Sequence, residues 1–235
     1  MSTHILITGA SRGIGAAIAD ALTTDATQVV ALSSADGDLS DPRVPDRLWQ
    51  ASLDRLDGRI DVLVNNAGVF EDNPLGDPNA DWLANWNRTM QVNLTASAQL
   101  CRHAVLHWHE RGRPGEKTGG RIVNIASRAA YRGDSPAHWH YAASKSGMVA
   151  MTKTIARAYA KDGILAFAIC PGFTMTGMAE EYLSGRGGEK LLAEIPLGRV
   201  AMPDEVGEMA RWCALEAPAA MTGAVLDVNG ASYVR

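Results

Sequence analysis

Short apolar runs alternate with longer amphipathic stretches along the whole chain. His4-Ile5-Leu6-Ile7 is closed by Thr8-Gly9, and similar runs recur near residues 28–33, 60–64, 121–126, 164–169 and 224–228. Each is too short for a helix and is bounded by Gly, Pro, Asn, Asp or Ser, so each predicts a strand buried on both faces. Helical patterns fall between them, near 13–23, 43–57, 79–110, 141–161 and 203–215. Strand and helix in alternation imply βαβ units with right-handed crossovers and a parallel sheet covered on both sides. The expected fold is therefore α/β, a single Rossmann-like doubly wound domain over residues 1–235. Pro114-Gly115, Gly119-Gly120 and the stretch from Gly185 to Gly188 mark loops.

Composition changes this picture little. At 235 residues with 46% hydrophobic and 20% charged side chains, the chain can bury both faces of a sheet. A net charge of −4 gives no basic footprint for nucleic acid. No apolar stretch is long enough to cross a membrane and no basic leader precedes the first strand, so a cytoplasmic protein is expected. Cys101, Cys170 and Cys213 are widely spaced and read as buried thiols rather than a disulfide or zinc framework. His103 and His107, with His109 nearby, share a helix face that could hold a metal, but no acidic or cysteine ligand sits at a matching spacing and a surface helix is preferred.

Two segments carry candidate chemistry. Thr8-Gly9-Ala10-Ser11-Arg12-Gly13-Ile14-Gly15 lies between the first strand and a helix rich in alanine. That context suits a dinucleotide turn, in which Gly9 permits the bend, Gly13 lets backbone approach a pyrophosphate and Gly15 seats the helix. Its spacing is G-x-x-x-G-x-G rather than G-x-G-x-x-G, and taken alone it could be a sharp βα loop. Tyr141-Ala-Ala-Ser-Lys145 puts a phenol and an ammonium one helical turn apart, with Ser127 fourteen residues earlier. A lysine so placed stabilises a phenolate, which makes Tyr141 a candidate general acid/base, although any half-buried helix face can show the same pair.

Together with Asn65-Asn66-Ala67-Gly68, Val92-Asn93-Leu94, Ile125-Ala126-Ser127, Cys170-Pro171-Gly172 and the tail from Thr222 to Gly230, these segments resemble the short-chain dehydrogenase/reductase family, most closely its 3-oxoacyl-acyl-carrier-protein reductases. The resemblance runs in order from residue 4 to about 232. It implies hydride transfer between a nicotinamide and a ketone or secondary alcohol, with Ser127 holding the substrate oxygen, Tyr141 moving its proton, Lys145 stabilising the tyrosinate and gripping the ribose, and Asn93 anchoring a water. It implies cofactor contacts from Gly9, Ser11, Arg12, Gly13, Ile14, Gly15, Ser33, Ser34, Asp38, Leu39, Asn66, Ala67, Gly68, Tyr141, Lys145, Pro171, Gly172, Thr174 and Thr176. The serine lies one residue farther from the tyrosine than in the reductases, so Arg128 occupies the usual offset, but the Ile-Ala-Ser context favours Ser127.

A second departure lies after the second strand. Too few residues separate Ser33 from a third strand at Asp38-Leu39-Ser40 to hold the usual crossover helix, so that strand is vestigial or tightly connected and the adenine side more open. Ser33 stands where members preferring NAD(H) carry an acid, and Arg12 matches a basic residue of those preferring NADP(H). NADP(H) is thus expected and NAD(H) remains possible, because the shortened segment could bring Asp36 to the ribose. Residues 129–140 and 173–195 should flank the substrate opening, offering Tyr131, His138, Trp139, His140, Phe173, Met175, Met178 and Tyr182 as walls. The substrate class is a small-molecule or acyl-thioester carbonyl, and Arg157 matches a carrier-docking arginine. Helix pairing through Ala142, Ala143, Ala150, Ala156, Ala158 and Ala160 would give a homotetramer or homodimer. An NAD-dependent alcohol dehydrogenase, a non-catalytic nucleotide-binding regulator and a structural oligomer are the alternatives, the last two opposed by the intact Asn93, Ser127, Tyr141 and Lys145 set.

Overall fold

The computed structural model describes residues 2–112, 119–176 and 188–235. Six strands, β1 Thr3–Ile7, β2 Thr27–Ala31, β3 Val62–Asn65, β4 Gly120–Ile125, β5 Ile164–Pro171 and β6 Val225–Val228, form one sheet in the order β2-β1-β3-β4-β5-β6. Every neighbouring pair is parallel. Alternation along the strands divides the core in two: Ile5, Ile7, Val64, Val123 and Phe167 face one layer, while Leu6, Leu63, Ile122 and Ala166 face the other. The first layer is closed by Ile18 and Leu22 of α1 (Gly13–Leu22) and by Val206 and Cys213 of the last helix. The second is closed by Leu48 and Trp49 of α2 (Val44–Arg55) and by Leu100, Trp108 and Ile155 of the long helices. This is the doubly wound fold expected.

The strand read at Asp38-Leu39-Ser40 does not form; β2 runs through turns straight into α2. The few residues available close local turns instead of climbing back for another parallel pairing. Asp36 accepts from the Ser33 backbone N–H at 2.8 Å, Asp38 from that of Ser40 at 2.9 Å and Asp41 from that of Arg43 at 2.9 Å. β2 is consequently an edge strand.

The helical pattern over 79–110 resolves into α3 Asn79–Met90 and α4 Ala96–Arg111, joined without a break by a π-turn, Gln91–Thr95. After β4 come a short α5, Ala129–Arg132, and a long α6, Trp139–Tyr159. Ala156 of α6 is buried in the core, so it belongs to sheet packing rather than to a free helix face. The pattern did not reveal α7, Gly188–Ala193, which begins at the glycine read as loop; α8 spans Pro203–Leu215 as expected. Pro114-Gly115, Gly185 to Gly187, Met178 and Tyr182 lie outside the described residues.

The lone histidines and cysteines take ordinary places. His103 stacks on Trp49 and pairs with Asp46 at 2.6 Å, and His107 accepts from the Ile60 N–H at 3.3 Å. All three thiols are free and buried. Among the described residues no helix is long and apolar enough to cross a membrane.

Candidate active site

Strand order reverses between β1 and β3, and such a switch point opens a crevice at the carboxyl ends of the strands. Gly9 turns the chain there at φ +68°, and a Cβ on it would lie 2.7 Å from the Ala67 Cα. At Gly15 a Cβ would fall 2.0 Å from the Gly9 carbonyl oxygen, so the first turn of α1 rests directly on the loop. Asn66 holds this turn from β3: its Nδ2 donates to the Gly9 oxygen at 2.8 Å and the Thr8 oxygen at 3.2 Å, while the Thr8 hydroxyl accepts from the Asn66 and Ala67 N–H groups at 3.2 and 3.1 Å. Arg12 caps α1 without a side-chain hydrogen bond, which leaves first-turn amides aimed at the crevice as an anion cradle.

The crevice is a groove of about 660 Å³. Of the cofactor residues expected, it is lined by Gly9, Ser11, Arg12, Gly13, Ile14, Gly15, Ser33, Ser34, Asp38, Leu39, Asn66, Ala67, Gly68 and Thr176. Its wall also includes Leu32, Gly37, Val69, Arg88 and Val92, which sequence reasoning did not mark. Arg88 comes from α3 and pairs with Glu71 at 3.2 Å; no local pattern distinguishes it from a solvated helix arginine. A glycine cradle, free helix amides and basic flanks fit a dinucleotide diphosphate.

Tyr141, Lys145, Pro171, Gly172 and Thr174 lie outside that volume. The Gly172 N–H donates to the Val228 oxygen at 2.9 Å, and the buried Thr174 hydroxyl donates to the Gly172 oxygen at 3.1 Å. Of the two threonines, only Thr176 faces the groove.

Helix α6 sets Tyr141 and Lys145 one turn apart, and Ser127 follows β4 directly. The Ser127 side chain lies near enough to the Tyr141 phenol to favour its ionised form, and its Oγ accepts from the Ala129 N–H at 3.1 Å. Ser127, not Arg128, thus meets the tyrosine; Arg128 lies near Arg132, Asp134 and Glu194, one Nη buried without a partner. Lys145 is 4% exposed, its Nζ donating to the Ile125 oxygen at 2.9 Å and standing 5.8 Å from the Tyr141 ring centre. Burial drives both groups toward neutrality, raising the phenol to about 12 and lowering the ammonium to about 8. Gly68 is the junction with the groove, where a Cβ would come within 3.4 Å of Lys145 Nζ and 3.3 Å of Asn93 Oδ1.

Asn93 sits in the π-turn, fully buried. Its Oδ1 accepts from the Val69 N–H at 2.7 Å, and its Nδ2 donates to the Val69 oxygen at 2.9 Å and the Ser144 hydroxyl at 3.3 Å. The Asn93 carboxamide thus holds the loop after β3.

Phe70, on that loop, also escaped sequence reasoning. It stacks on His138 with centres 3.9 Å apart and meets the Tyr141 ring edge-on at 4.8 Å. His138 and His140 do stand beside the site, whereas Tyr131 turns to the chain end, its hydroxyl accepting from Arg235 at 2.9 Å.

Residues 32–231 match the family model described as enoyl-(acyl carrier protein) reductase. A 3-oxoacyl-[acyl-carrier-protein] reductase from Synechocystis is 36% identical, the match covering 96% of this chain and 94% of that protein. A D-threitol dehydrogenase from Mycolicibacterium smegmatis is 33% identical over 98% of this chain and 92% of its own. The crystal structure of a tryptophan-substituted actinorhodin polyketide ketoreductase with NADPH superposes with a TM-score of 0.82 at 29% identity, covering 97% of this chain and 96% of that one. With the parallel sheet, the glycine groove and the serine, tyrosine and lysine gathered beside it, these matches place the chain in the short-chain dehydrogenase/reductase family, whose members are oxidoreductases of ketones and secondary alcohols.

Proposed function

We propose that the protein is an NADP(H)-preferring ketoreductase that works through Ser127, Tyr141 and Lys145 on 3-oxoacyl thioesters or related ketones. The gathering of Ser127 near the Tyr141 phenol, with Lys145 one turn away and its Nζ 5.8 Å from the phenol ring centre, carries the reading. A nicotinamide cofactor held in the groove by the Gly9–Gly15 turn would supply the hydride. Ser127 donates a hydrogen bond to the substrate oxygen, and Tyr141, protonated at neutral pH because burial holds its pKa at about 12, delivers the proton as charge builds on that oxygen. Lys145, still charged below about pH 8, offsets the tyrosinate left behind. Asn93 fixes the backbone of Val69 at the join between groove and catalytic pair.

Arg12, Ser33 and Ser34 line the groove where a 2′-phosphate would be met, and Asp36 is absent from that lining, which supports NADP(H). Asp36 also favours a second reading, an NAD-dependent alcohol dehydrogenase, because its carboxylate lies 3.1 Å from the Ser33 hydroxyl at the end of β2 and could accept from a ribose instead. Steady-state kcat/KM with a 3-oxoacyl thioester and each cofactor decides between them. At least about a tenfold advantage for NADPH is expected, from one charge-assisted pair; a clear NADH preference overturns the cofactor assignment, and no ketone reduction with either overturns the reductase reading.

A further inference from the structure

Phe70 is 49% exposed although its ring touches the catalytic tyrosine. Its back is held rigidly. His138 lies parallel to it, 4° from coplanar, and has both ring nitrogens engaged: Nδ1 with the Ser135 hydroxyl at 2.6 Å and Nε2 with Asp72 at 3.2 Å. The Asn73 N–H donates to the Ala137 oxygen at 2.9 Å, tying the loop that carries Phe70 to the loop that carries His138. Behind His138 the stack continues through His140 to Trp86, with centres 6.3 and 6.4 Å apart. An aromatic ring pinned from behind and left open in front has already lost its side-chain freedom, so a ligand covering it incurs no further ordering cost.

We infer that Phe70, backed by His138, is a stacking platform that selects ketones bearing a flat aromatic ring close to the carbonyl. The inference rests on the ketoreductase reading and specifies its substrate class. A flat ring gains the offset or edge-to-face attraction of a π pair in addition to its burial, whereas a saturated ring of the same skeleton gains burial alone. Because the Phe70 and Tyr141 rings are adjacent, a ligand on the platform keeps its carbonyl near the Tyr141 and Ser127 hydroxyls.

The test compares 2-tetralone with 2-decalone, which share a ten-carbon skeleton and an unconjugated ketone and differ in the flatness of one ring. The wild-type enzyme should favour 2-tetralone in kcat/KM by about two- to tenfold, the range one aromatic pair supplies. Phe70→Leu should lower 2-tetralone use by that factor more than 2-decalone use, with the difference falling in KM, and calorimetry should show the same selective weakening for 2-tetralol against 2-decalol. Phe70→Tyr, which keeps the ring, should retain the wild-type ratio, and Phe70→Met reads the same ratio should the leucine variant not fold. A wild-type preference for 2-decalone, or equal losses on both ketones in the variants, overturns the platform while leaving the reductase reading intact. Reduction of neither ketone nor any 3-oxoacyl thioester overturns both.

Discussion

The two ends of the groove are built on different principles. At the end beside Tyr141 the groups are buried and multiply bonded: Lys145 is tied to Ile125, Asn93 grips Val69 from both sides, and Asn65, Asn124 and Thr152 form a buried chain of side-chain hydrogen bonds at 2.9 and 2.8 Å. At the end beyond Ser33, a stretch that elsewhere in the fold would be helix and strand is reduced to turns, whose aspartates bond backbone two or three residues away. Proton transfer fails when groups shift by an ångström, so that end demands a scaffold of long-range contacts. A nucleotide tail is held by many weak contacts and tolerates their replacement. The turns that replace helix and strand beyond Ser33 thus leave the arrangement of Ser127, Tyr141 and Lys145 untouched.

Substitutions that strike one end and spare the other test this division. The largest effect is expected at Tyr141→Phe, which keeps the ring and removes only the acid: ketone reduction should fall by about 10²- to 10⁴-fold while the dissociation constant for NADPH, read by fluorescence titration, stays within a few-fold. Near-normal turnover would show that the hydroxyl is not the proton donor. Next comes Lys145→Met. Below pH 8 the folded and unfolded chains both carry the charge and the fold bears its burial cost; between about 8 and 10.5 only the unfolded lysine remains protonated, so stability rises with pH across that window. After discounting the lost bond to the Ile125 oxygen, the variant should be more stable than wild type by about 2 kcal/mol at pH 7, or roughly 5 °C in Tm, with the gap closing by about pH 10.5. A gap independent of pH would remove the buried charge from the account. The smallest effect is expected at the open end, where Arg12→Ala should raise the KM for NADPH about tenfold and hardly touch that for NADH. Equal changes for both cofactors would make Arg12 a loop cation with no part in selection.

Much of this was legible because the signals were local. The glycines of the first turn, Pro203 at the start of the last helix and the apolar runs of β1 and β5 each fix an element by their own chemistry. Ser127, Tyr141 and Lys145 could be named because a strand end and one helical turn bring them together. Phe70 could not, since its meaning arises only when the loop after β3 folds against His138, 68 residues farther along the chain. Arg88 reaches the groove through the placement of a whole helix. The missing third strand was foreseen as a shortage of residues, but the aspartate turns that replace it depend on backbone geometry that composition does not specify.

The π-turn at Gln91–Thr95 acts as a phase shifter. One extra residue in a helical turn rotates everything after it by about 100° relative to an uninterrupted helix. Before the turn, α3 buries only Thr89; after it, α4 buries seven residues from Ala96 to Trp108. A rod that starts as a solvent-facing cover is thereby re-indexed into a core helix without a break in the chain. The widened turn is poor helix in its own right, and the two bonds from Asn93 to Val69 help to offset that cost. Shortening the segment by one residue would not simply trim a helix: it would set α4 out of step with the sheet and unhook Asn93 in the same stroke.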